Sequence, residues 1–169
     1  MPKTVSIVGN SGSGKTTLIE KLLPELKRRG YRIGTIKHAA HMIDIDKKGK
    51  DSWRHRVAGA DTVALAAPQT IALIKTVPEV TLDHLEHFFQ DVDIVIIEGY
   101  KSQDRPKIEV FRTAAHEKPL CMDDPNLIAM VTDLTEDLSV PKFGLEEIVK
   151  LADFIEAKFI AMRVSAAGT

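Results

Sequence analysis

The chain contains 169 residues, 44% of them hydrophobic and 28% charged, which predicts one globular domain over residues 1–169. The 23 Lys and Arg residues nearly balance the 24 Asp and Glu residues, so the charge favours neither nucleic acid nor an anionic membrane as a partner. The single cysteine, Cys121, excludes an internal disulfide, and no apolar run approaches the ~20 residues that span a bilayer, so we expect a cytoplasmic protein.

Along the chain, short runs rich in β-branched residues alternate with longer amphipathic segments. Strands are predicted at 5–8, 32–36, 62–66, 70–75, 94–97, 107–111 and 127–131. Helices are predicted at 15–29, at 51–58, after Thr81 and at 145–159, and residues 38–50 are predicted to form a long loop. This alternation predicts an α/β fold in which helices flank a mostly parallel central sheet in three layers.

Local features add expectations about individual elements. Residues 94–97 are β-branched at every position, which is typical of a central strand covered on both faces. Residues 107–111 alternate between polar and apolar side chains, which predicts a less buried strand and a candidate edge for pairing with a second subunit. Pro24 is expected to kink or break the first helix, and Asp51 and Ser52 are expected to cap the second.

The most specific motif follows the first predicted strand. Residues 9–16 read Gly-Asn-Ser-Gly-Ser-Gly-Lys-Thr, which matches G-x-x-x-x-G-K-[ST] between a strand and a helix. In such a loop the backbone amides point inward around phosphate, the lysine contacts the β- and γ-phosphates, and the threonine hydroxyl ligates Mg²⁺. The motif predicts a P-loop NTPase fold and a nucleotide site formed by Asn10, Ser11, Gly12, Ser13, Gly14, Lys15, Thr16 and Thr17.

A magnesium ion at such a loop needs a second acidic ligand, and residues 94–97 have one at each end, Asp93 and Glu98. At ~3.3 Å per residue the two side chains lie about 16 Å apart, so only one reaches the site. Ligands bind beyond the carboxyl ends of parallel strands, which selects Glu98. The usual residue at this position is Asp, and the longer Glu98 permits direct or water-mediated coordination.

The predicted loop at 38–56 allows several interpretations. His38, His41, Asp44 and Asp46 suit a transition-metal site. Alternatively, the loop is a switch in which Asp44 or Asp46 contacts Mg²⁺ or its water shell. Five cations lie within ten residues, and they form either a solvated surface or a second anion site: Lys47, Lys48, Lys50, Arg54 and Arg56.

Two further residues are candidate nucleotide contacts. Lys101 follows Glu98 closely and either contacts the phosphates or is an exposed loop lysine. Asp133 lies two residues after the apolar run 127–131. At this position P-loop GTPases carry an Asp that accepts hydrogen bonds from guanine, normally within N-K-x-D. The Asn and Lys of that motif are absent, so Asp133 is either a guanine contact or the cap of a turn.

Beyond the phosphate loop, several segments resemble the molybdopterin-guanine dinucleotide biosynthesis protein B family, MobB. They are residues 36–38, 44–46, 49–54, 58–60, 96–101 and 106–110. The resemblance extends from residue 5 to about residue 133, and its loop and Glu-Gly-Tyr-Lys motifs are far more specific than a P-loop alone.

The resemblance implies a GTP-binding P-loop protein with slow intrinsic hydrolysis, usually a homodimer. It implies an accessory role in attaching GMP to molybdopterin, beside the nucleotidyltransferase that performs the transfer. The family's phosphate-binding role falls on Gly12, Gly14, Lys15, Thr16 and Thr17, and its metal role on Asp44 and Glu98. No catalytic residue is assigned.

A second class of function stays open at this point. The same strand–loop–helix unit occurs in small-molecule kinases and ATP-dependent ligases, which also need an acceptor pocket, a base and an arginine-rich lid. No compact arginine-rich lid stands out, although Lys50, Arg54 and Arg56 are candidates. A nucleotide-bound scaffold without turnover is a third possibility.

Overall fold

The computed structural model describes residues 3–39 and 45–160. The strands are β1 (Lys3–Val8), β2 (Ile33–Lys37), β3 (Thr62–Ala67), β4 (Thr70–Lys75), β5 (Ile94–Glu98), β6 (Lys107–Phe111), β7 (Leu127–Thr132) and β8 (Lys142–Phe143). The α-helices are α1 (Lys15–Arg28), α2 (Asp51–Val57), α3 (Leu82–Glu86) and α4 (Ile148–Ile155), with a 3-10 turn at His87–Phe89 and a π-helical turn at Glu156–Ile160. Among the described residues, no helix combines the length and apolar character needed to cross a bilayer.

Contacts divide the chain into two compact units. The first contains Met1–His38 and Glu86–Thr169, and the second contains Ala39–Leu85. The second unit includes α2 and the antiparallel hairpin β3–β4, which is closed by Pro68 and Gln69.

A six-stranded sheet forms the centre of the first unit, in the order β2-β5-β1-β6-β7-β8. All of its strand pairs are parallel, so the predicted α/β class with flanking helices is confirmed. The side chains at 94–97 are fully buried, which confirms a central strand. Leu18, Leu22 and Leu26 of α1 belong to the same core as Leu151 and Ile155 of α4. Because the strands are parallel, their carboxyl ends share one edge of the sheet, beside the phosphate loop.

The prediction for residues 107–111 is wrong. Strand β6 lies between β1 and β7, and all five of its residues are buried. Each of its two polar side chains has a hydrogen-bond partner, as the interior requires. Lys107 Nζ donates to Asp124 Oδ2, and Glu109 Oε2 accepts the Cys121 N–H at 2.8 Å. The sheet edges are β2 and β8, so β6 offers no edge to a second subunit.

Two helix predictions also need correction. The predicted break at Pro24 is wrong, since helix α1 continues through it to Arg28, whereas the kink stays a prediction. Leu22 and Leu26 on either side are fully buried, and such packing can offset one lost backbone hydrogen bond. Helix α2 has Lys50 at its N-cap, without a side-chain cap. Ser52 lies inside that helix, and its hydroxyl donates to Asp46 Oδ1 at 2.8 Å.

The bounds of helix α4 and the presence of strand β8 differ from what hydrophobic periodicity predicts. The predicted helix at 145–159 begins later, at Ile148, and its last turn is π-helical. Strand β8 has only two residues, too few to produce a sequence pattern. By contrast, the helix predicted after Thr81 is confirmed as α3, and Thr81 Oγ1 accepts the His84 N–H at 3.3 Å.

We predict that Cys121 reacts slowly with thiol reagents in the folded protein. The residue is 5% exposed, and burial, reinforced by the charges of Glu109 and Asp124, raises the pKa of its thiol to about 11. From an ordinary value of 9.0, this rise lowers the thiolate fraction at pH 8 about a hundredfold. Modification by a chromogenic disulfide at pH 8 should be at least ~100-fold slower in buffer than in denaturant. Equal rates would contradict the burial of this thiol.

Candidate nucleotide-binding site

The predicted phosphate loop connects the carboxyl end of β1 to the start of α1. Three of its residues have positive φ: Gly9 (140°), Gly12 (76°) and Gly14 (100°). Only glycine adopts such angles at little cost, which explains their presence. The first helical hydrogen bond runs from the Leu18 N–H to the Gly14 carbonyl at 2.9 Å. The amides before Leu18 therefore lack an acceptor within the helix and suit an anion at its N-terminus.

Lys15 folds back over this loop. Its ammonium donates to the carbonyls of Gly9 at 3.0 Å and Asn10 at 2.8 Å. Burial lowers the pKa of Lys15, the negative charge of Glu98 opposes that shift, and the positive charge of Lys37 adds to it. The ammonium is thus held at the loop, close to a carboxylate and to a second lysine.

The serines of the loop have different surroundings. Ser13 is 1% exposed, and its hydroxyl has no hydrogen-bond partner among the described residues. Its N–H donates to the Asn10 carbonyl at 3.3 Å. The Ser11 carbonyl accepts a hydrogen bond at 2.9 Å from Nε2 of His116. The loop is therefore supported from outside by a histidine that follows β6.

Glu98, and not Asp93, lies beside the phosphate loop. The Thr16 hydroxyl donates to Glu98 Oε1 at 2.9 Å, and Lys37 Nζ lies 3.2 Å from the same oxygen. Asp93 is at the opposite end of β5, where its carboxylate accepts the Arg32 N–H at 2.8 Å. The structure brings together the two predicted metal ligands that it describes, Thr16 and Glu98.

The chemistry of this pair suits magnesium. A threonine hydroxyl and a carboxylate are hard oxygen donors, and Mg²⁺ at phosphate sites is held by one or two such side chains together with phosphate and water. The described residues contain no group of three or more His, Cys, Asp or Glu side chains able to hold a metal ion. The other predicted ligand, Asp44, lies outside the described residues, as does His41.

Asp46, the remaining acidic candidate of that loop, has its own partners within the second unit. It is 5% exposed and accepts hydrogen bonds from Ser52 Oγ at 2.8 Å and from Arg56 Nε at 3.3 Å. Both carboxylate oxygens of Asp46 thus already have donors. Among the five clustered cations, Arg56 is one of these donors, and Arg54 pairs with Asp51 at 3.6 Å.

The segment after Glu98 has an unusual backbone. Gly99 has φ 101° and Tyr100 has φ 53°, a left-handed conformation that non-glycine residues adopt mainly at turns and functional sites. The Tyr100 ring lies 4.3 Å from that of His38, whose N–H donates to the Glu98 carbonyl at 2.9 Å. Lys101 comes next and is exposed. These contacts fix the ends of β2 and β5 around the carboxylate.

Asp133 connects the ends of β6 and β7. Its carboxylate accepts the Thr113 N–H at 2.8 Å and the Thr113 hydroxyl at 3.1 Å. The hydrogen bond from this N–H lowers the pKa of Asp133, and the charge of Arg112 contributes. Asp133 therefore positions the segment that carries Arg112 and His116.

A cavity of about 170 Å³ opens beside the start of α1. It lies between that helix, the ends of β6 and β7, and the residues that precede α4. Its lining combines apolar side chains with three charged ones: Ser13, Gly14, Thr17, Leu18, Lys21, Val110, Arg112, Val131, Leu145 and Glu146. The cavity is thus continuous with the phosphate loop through Ser13, Gly14 and Thr17.

Sequence reasoning did not predict the contact between the rings of His38 and Tyr100. It also did not assign four other residues to this site: Lys37, Arg112, Thr113 and His116. Five of these six residues end or follow β2 or β6, the strands adjacent to β5 and β1 in the sheet. The available signal was the rule that ligands bind at the carboxyl ends of parallel strands. Applying it to every predicted strand, rather than to 94–97 and 127–131 alone, would have selected Lys37 and Arg112.

The parallel sheet, the glycine loop between its central strand and a helix, and the threonine–carboxylate pair define a P-loop nucleotide-binding fold. Residues 4–133 match the family described as Molybdopterin guanine dinucleotide synthesis protein B. The chain belongs to this family.

Similar proteins cover nearly the whole chain. It is 41% identical over 155 residues to the molybdopterin-guanine dinucleotide biosynthesis adapter protein of Haemophilus influenzae, covering 90% of this chain and 86% of that protein. Identity to the Escherichia coli protein of the same name is 38% over 151 residues, 86% of each chain. The crystal structure of Bacillus subtilis MobB has a TM-score of 0.74 at 28% identity, covering 93% of this chain and 98% of that one.

Proposed function

We propose that this chain binds GTP with Mg²⁺ and serves as an accessory protein in forming the guanine dinucleotide form of the molybdenum cofactor. The observation that carries the proposal is the contact of Thr16 with Glu98 at the mouth of the glycine loop. It joins the hydroxyl that follows the phosphate-binding lysine to a carboxylate from a neighbouring strand, as nucleotide-bound Mg²⁺ requires.

In this proposal the phosphates lie on the amides and side chains of residues 10–17. Lys15 contacts the β- and γ-phosphates, and Thr16 and Glu98 hold Mg²⁺, which supplies charge neutralisation for the phosphate oxygens. Asp44 remains a proposed third metal contact. Lys101, exposed beyond Tyr100, is a proposed phosphate contact.

The cavity beside Thr17 and Arg112 supports a nucleoside at the other end of the phosphate chain. Its apolar walls suit a base and its charged side chains suit polar edges. Asp133 remains the proposed guanine contact, because each of its oxygens retains a lone pair beside the one used by Thr113.

The accessory role is supported by the relatives, which are named adapter proteins. We propose that the chain hydrolyses GTP slowly at most and acts with the nucleotidyltransferase that attaches GMP to molybdopterin, with molybdopterin itself as a further ligand. We also propose a homodimer. The hairpin β3–β4 has three exposed apolar side chains, Leu65, Ile71 and Leu73. They support this hairpin, rather than strand β6, as the surface that contacts a second copy.

A direct test compares GTP with ATP. We expect calorimetry in Mg²⁺ to give tighter binding of GTP, with slow phosphate release. Adding the protein to purified nucleotidyltransferase with molybdopterin should increase the yield of guanine dinucleotide. Rapid ATP turnover with a phosphorylated small molecule would replace this proposal with a kinase or a ligase.

Glu98→Gln should weaken the Mg²⁺ dependence of GTP binding more than binding itself. The amide keeps the size of the side chain but removes the charge that a divalent cation requires. We expect the Mg²⁺ concentration for half-maximal binding to rise by on the order of tenfold. Asp93→Asn is the matched control, since it changes the acid at the other end of the same strand. Similar effects of the two substitutions would refute the assignment of Glu98.

A further inference from the structure

We propose that Lys37 is a binding residue of this site that recognises the terminal phosphate of a bound triphosphate. Lys37 forms an ion pair with Glu98 and adds a second ammonium group near that of Lys15. This inference rests on the proposed function, since it presupposes that the glycine loop binds a nucleoside triphosphate.

The sheet register places Lys37 at this point. Lys37 and Glu98 are the last residues of two adjacent parallel strands and are paired directly across them. Lys37 Nζ lies 3.2 Å from Glu98 Oε1, the same oxygen that accepts the Thr16 hydroxyl at 2.9 Å. An ammonium and a hydroxyl thus share one carboxylate oxygen at the proposed metal site.

The side chains of Glu98 and Lys37 differ in exposure and therefore in how freely they can move. The Glu98 side chain is 15% exposed and the Lys37 side chain is 66% exposed. The carboxylate is fixed by its surroundings, whereas the lysine is a flexible four-carbon chain that reaches the site from solvent. Lys37 can therefore turn from the carboxylate to a phosphate oxygen without disturbing the core.

The local charge favours a polyanion. Lys15 is held at the loop by the carbonyls of Gly9 and Asn10, and Lys37 Nζ lies 3.2 Å from the Glu98 oxygen that also accepts the Thr16 hydroxyl. Two ammonium groups beside one carboxylate leave a net positive charge, and their mutual repulsion is relieved when an anion lies between them.

The position of the metal pair identifies which phosphate Lys37 meets. Thr16 and Glu98 would hold the magnesium ion that accompanies the terminal phosphates at a P-loop, so this pair marks that end of the site. The cavity at Thr17 and Arg112 is lined by residues of β6 and β7, which lie on the opposite side of β1 from β5 and Glu98. Lys37 therefore distinguishes a triphosphate from a diphosphate.

The test measures GTP and GDP affinities separately, by calorimetry in Mg²⁺. We expect Lys37→Gln to lose on the order of tenfold in GTP affinity and less than about threefold in GDP affinity, because one charge-assisted hydrogen bond to the terminal phosphate is lost. Lys37→Arg should retain GTP affinity within about threefold, since it keeps the charge. Thermal unfolding verifies that each variant is folded.

Arg32→Gln is the matched control. It removes the ion pair of Arg32 with Asp93, 3.7 Å apart, at the amino ends of the same two strands, and should leave both affinities unchanged. Equal losses of GTP and GDP affinity in Lys37→Gln would mean that Lys37 only supports the strand ends, and no loss would mean that it is a surface lysine. Either result overturns the inference, whereas a wild-type protein that binds neither nucleotide overturns the proposed function itself.

Discussion

Lys15→Ala is expected to weaken GTP binding by at least about a hundredfold. The substitution removes a cation that the carbonyls of Gly9 and Asn10 hold over the loop. A charge-assisted hydrogen bond contributes about 1.5–3 kcal/mol, and contacts to two phosphates are lost together. A hundredfold change corresponds to about 2.7 kcal/mol, within this range. Isothermal titration with GTP and Mg²⁺ provides the measurement.

The control for this experiment is Lys27→Ala, which removes an exposed lysine from the last turn of the same helix. Its affinity should match that of the unmodified protein. Because Lys15 also contacts the loop backbone, thermal unfolding should accompany the titration. A folded Lys15→Ala protein with unchanged GTP affinity would contradict the proposed phosphate site.

Gly9→Ala should have the largest effect on stability. A Cβ at Gly9 would lie 2.4 Å from the Val110 carbonyl oxygen and 2.8 Å from Ser13 Oγ, and the residue has φ 140°. Val110 belongs to β6, which is hydrogen-bonded between β1 and β7, so its backbone cannot move aside cheaply. We expect a loss of about 2–4 kcal/mol in the free energy of unfolding, from overpacking and backbone strain together.

Urea unfolding provides this measurement, with Gly30→Ala as the reference. Gly30 also has positive φ, 91°, but a Cβ there meets nothing within 4 Å, so only the cost of a left-handed conformation applies, about 1–2 kcal/mol. If the two substitutions destabilise equally, the close approach of the loop to β6 is not the cause. We also expect Gly9→Ala to lose GTP binding because the loop must change shape.

Much of the fold and the core of the site could be predicted from local signals. The β-branched run before Glu98 is apolar on both faces because β5 is central and covered, and the loop motif is contiguous in sequence. The rule that parallel strands bind ligands at their carboxyl ends then selected Glu98 over Asp93. Each of these inferences depends on neighbouring residues or on a general property of parallel sheets.

The remaining features depend on tertiary partners that no local pattern contains. The alternation of β6 resembles that of an exposed strand, yet Lys107 and Glu109 are buried because Asp124 and the backbone at Cys121 satisfy them. The position of Lys37 beside Glu98 follows from strand order and register, which periodicity does not determine. Likewise, the burial of Leu22 and Leu26 on either side of Pro24 depends on tertiary packing that the sequence around the proline does not reveal.

A crystal structure with a non-hydrolysable GTP analogue and Mg²⁺ tests the central claim most directly. We predict that the phosphates lie on the amides of residues 10–17, the metal between Thr16 and Glu98, and Lys37 at the terminal phosphate. Nucleotide density at any other place on the protein would contradict it.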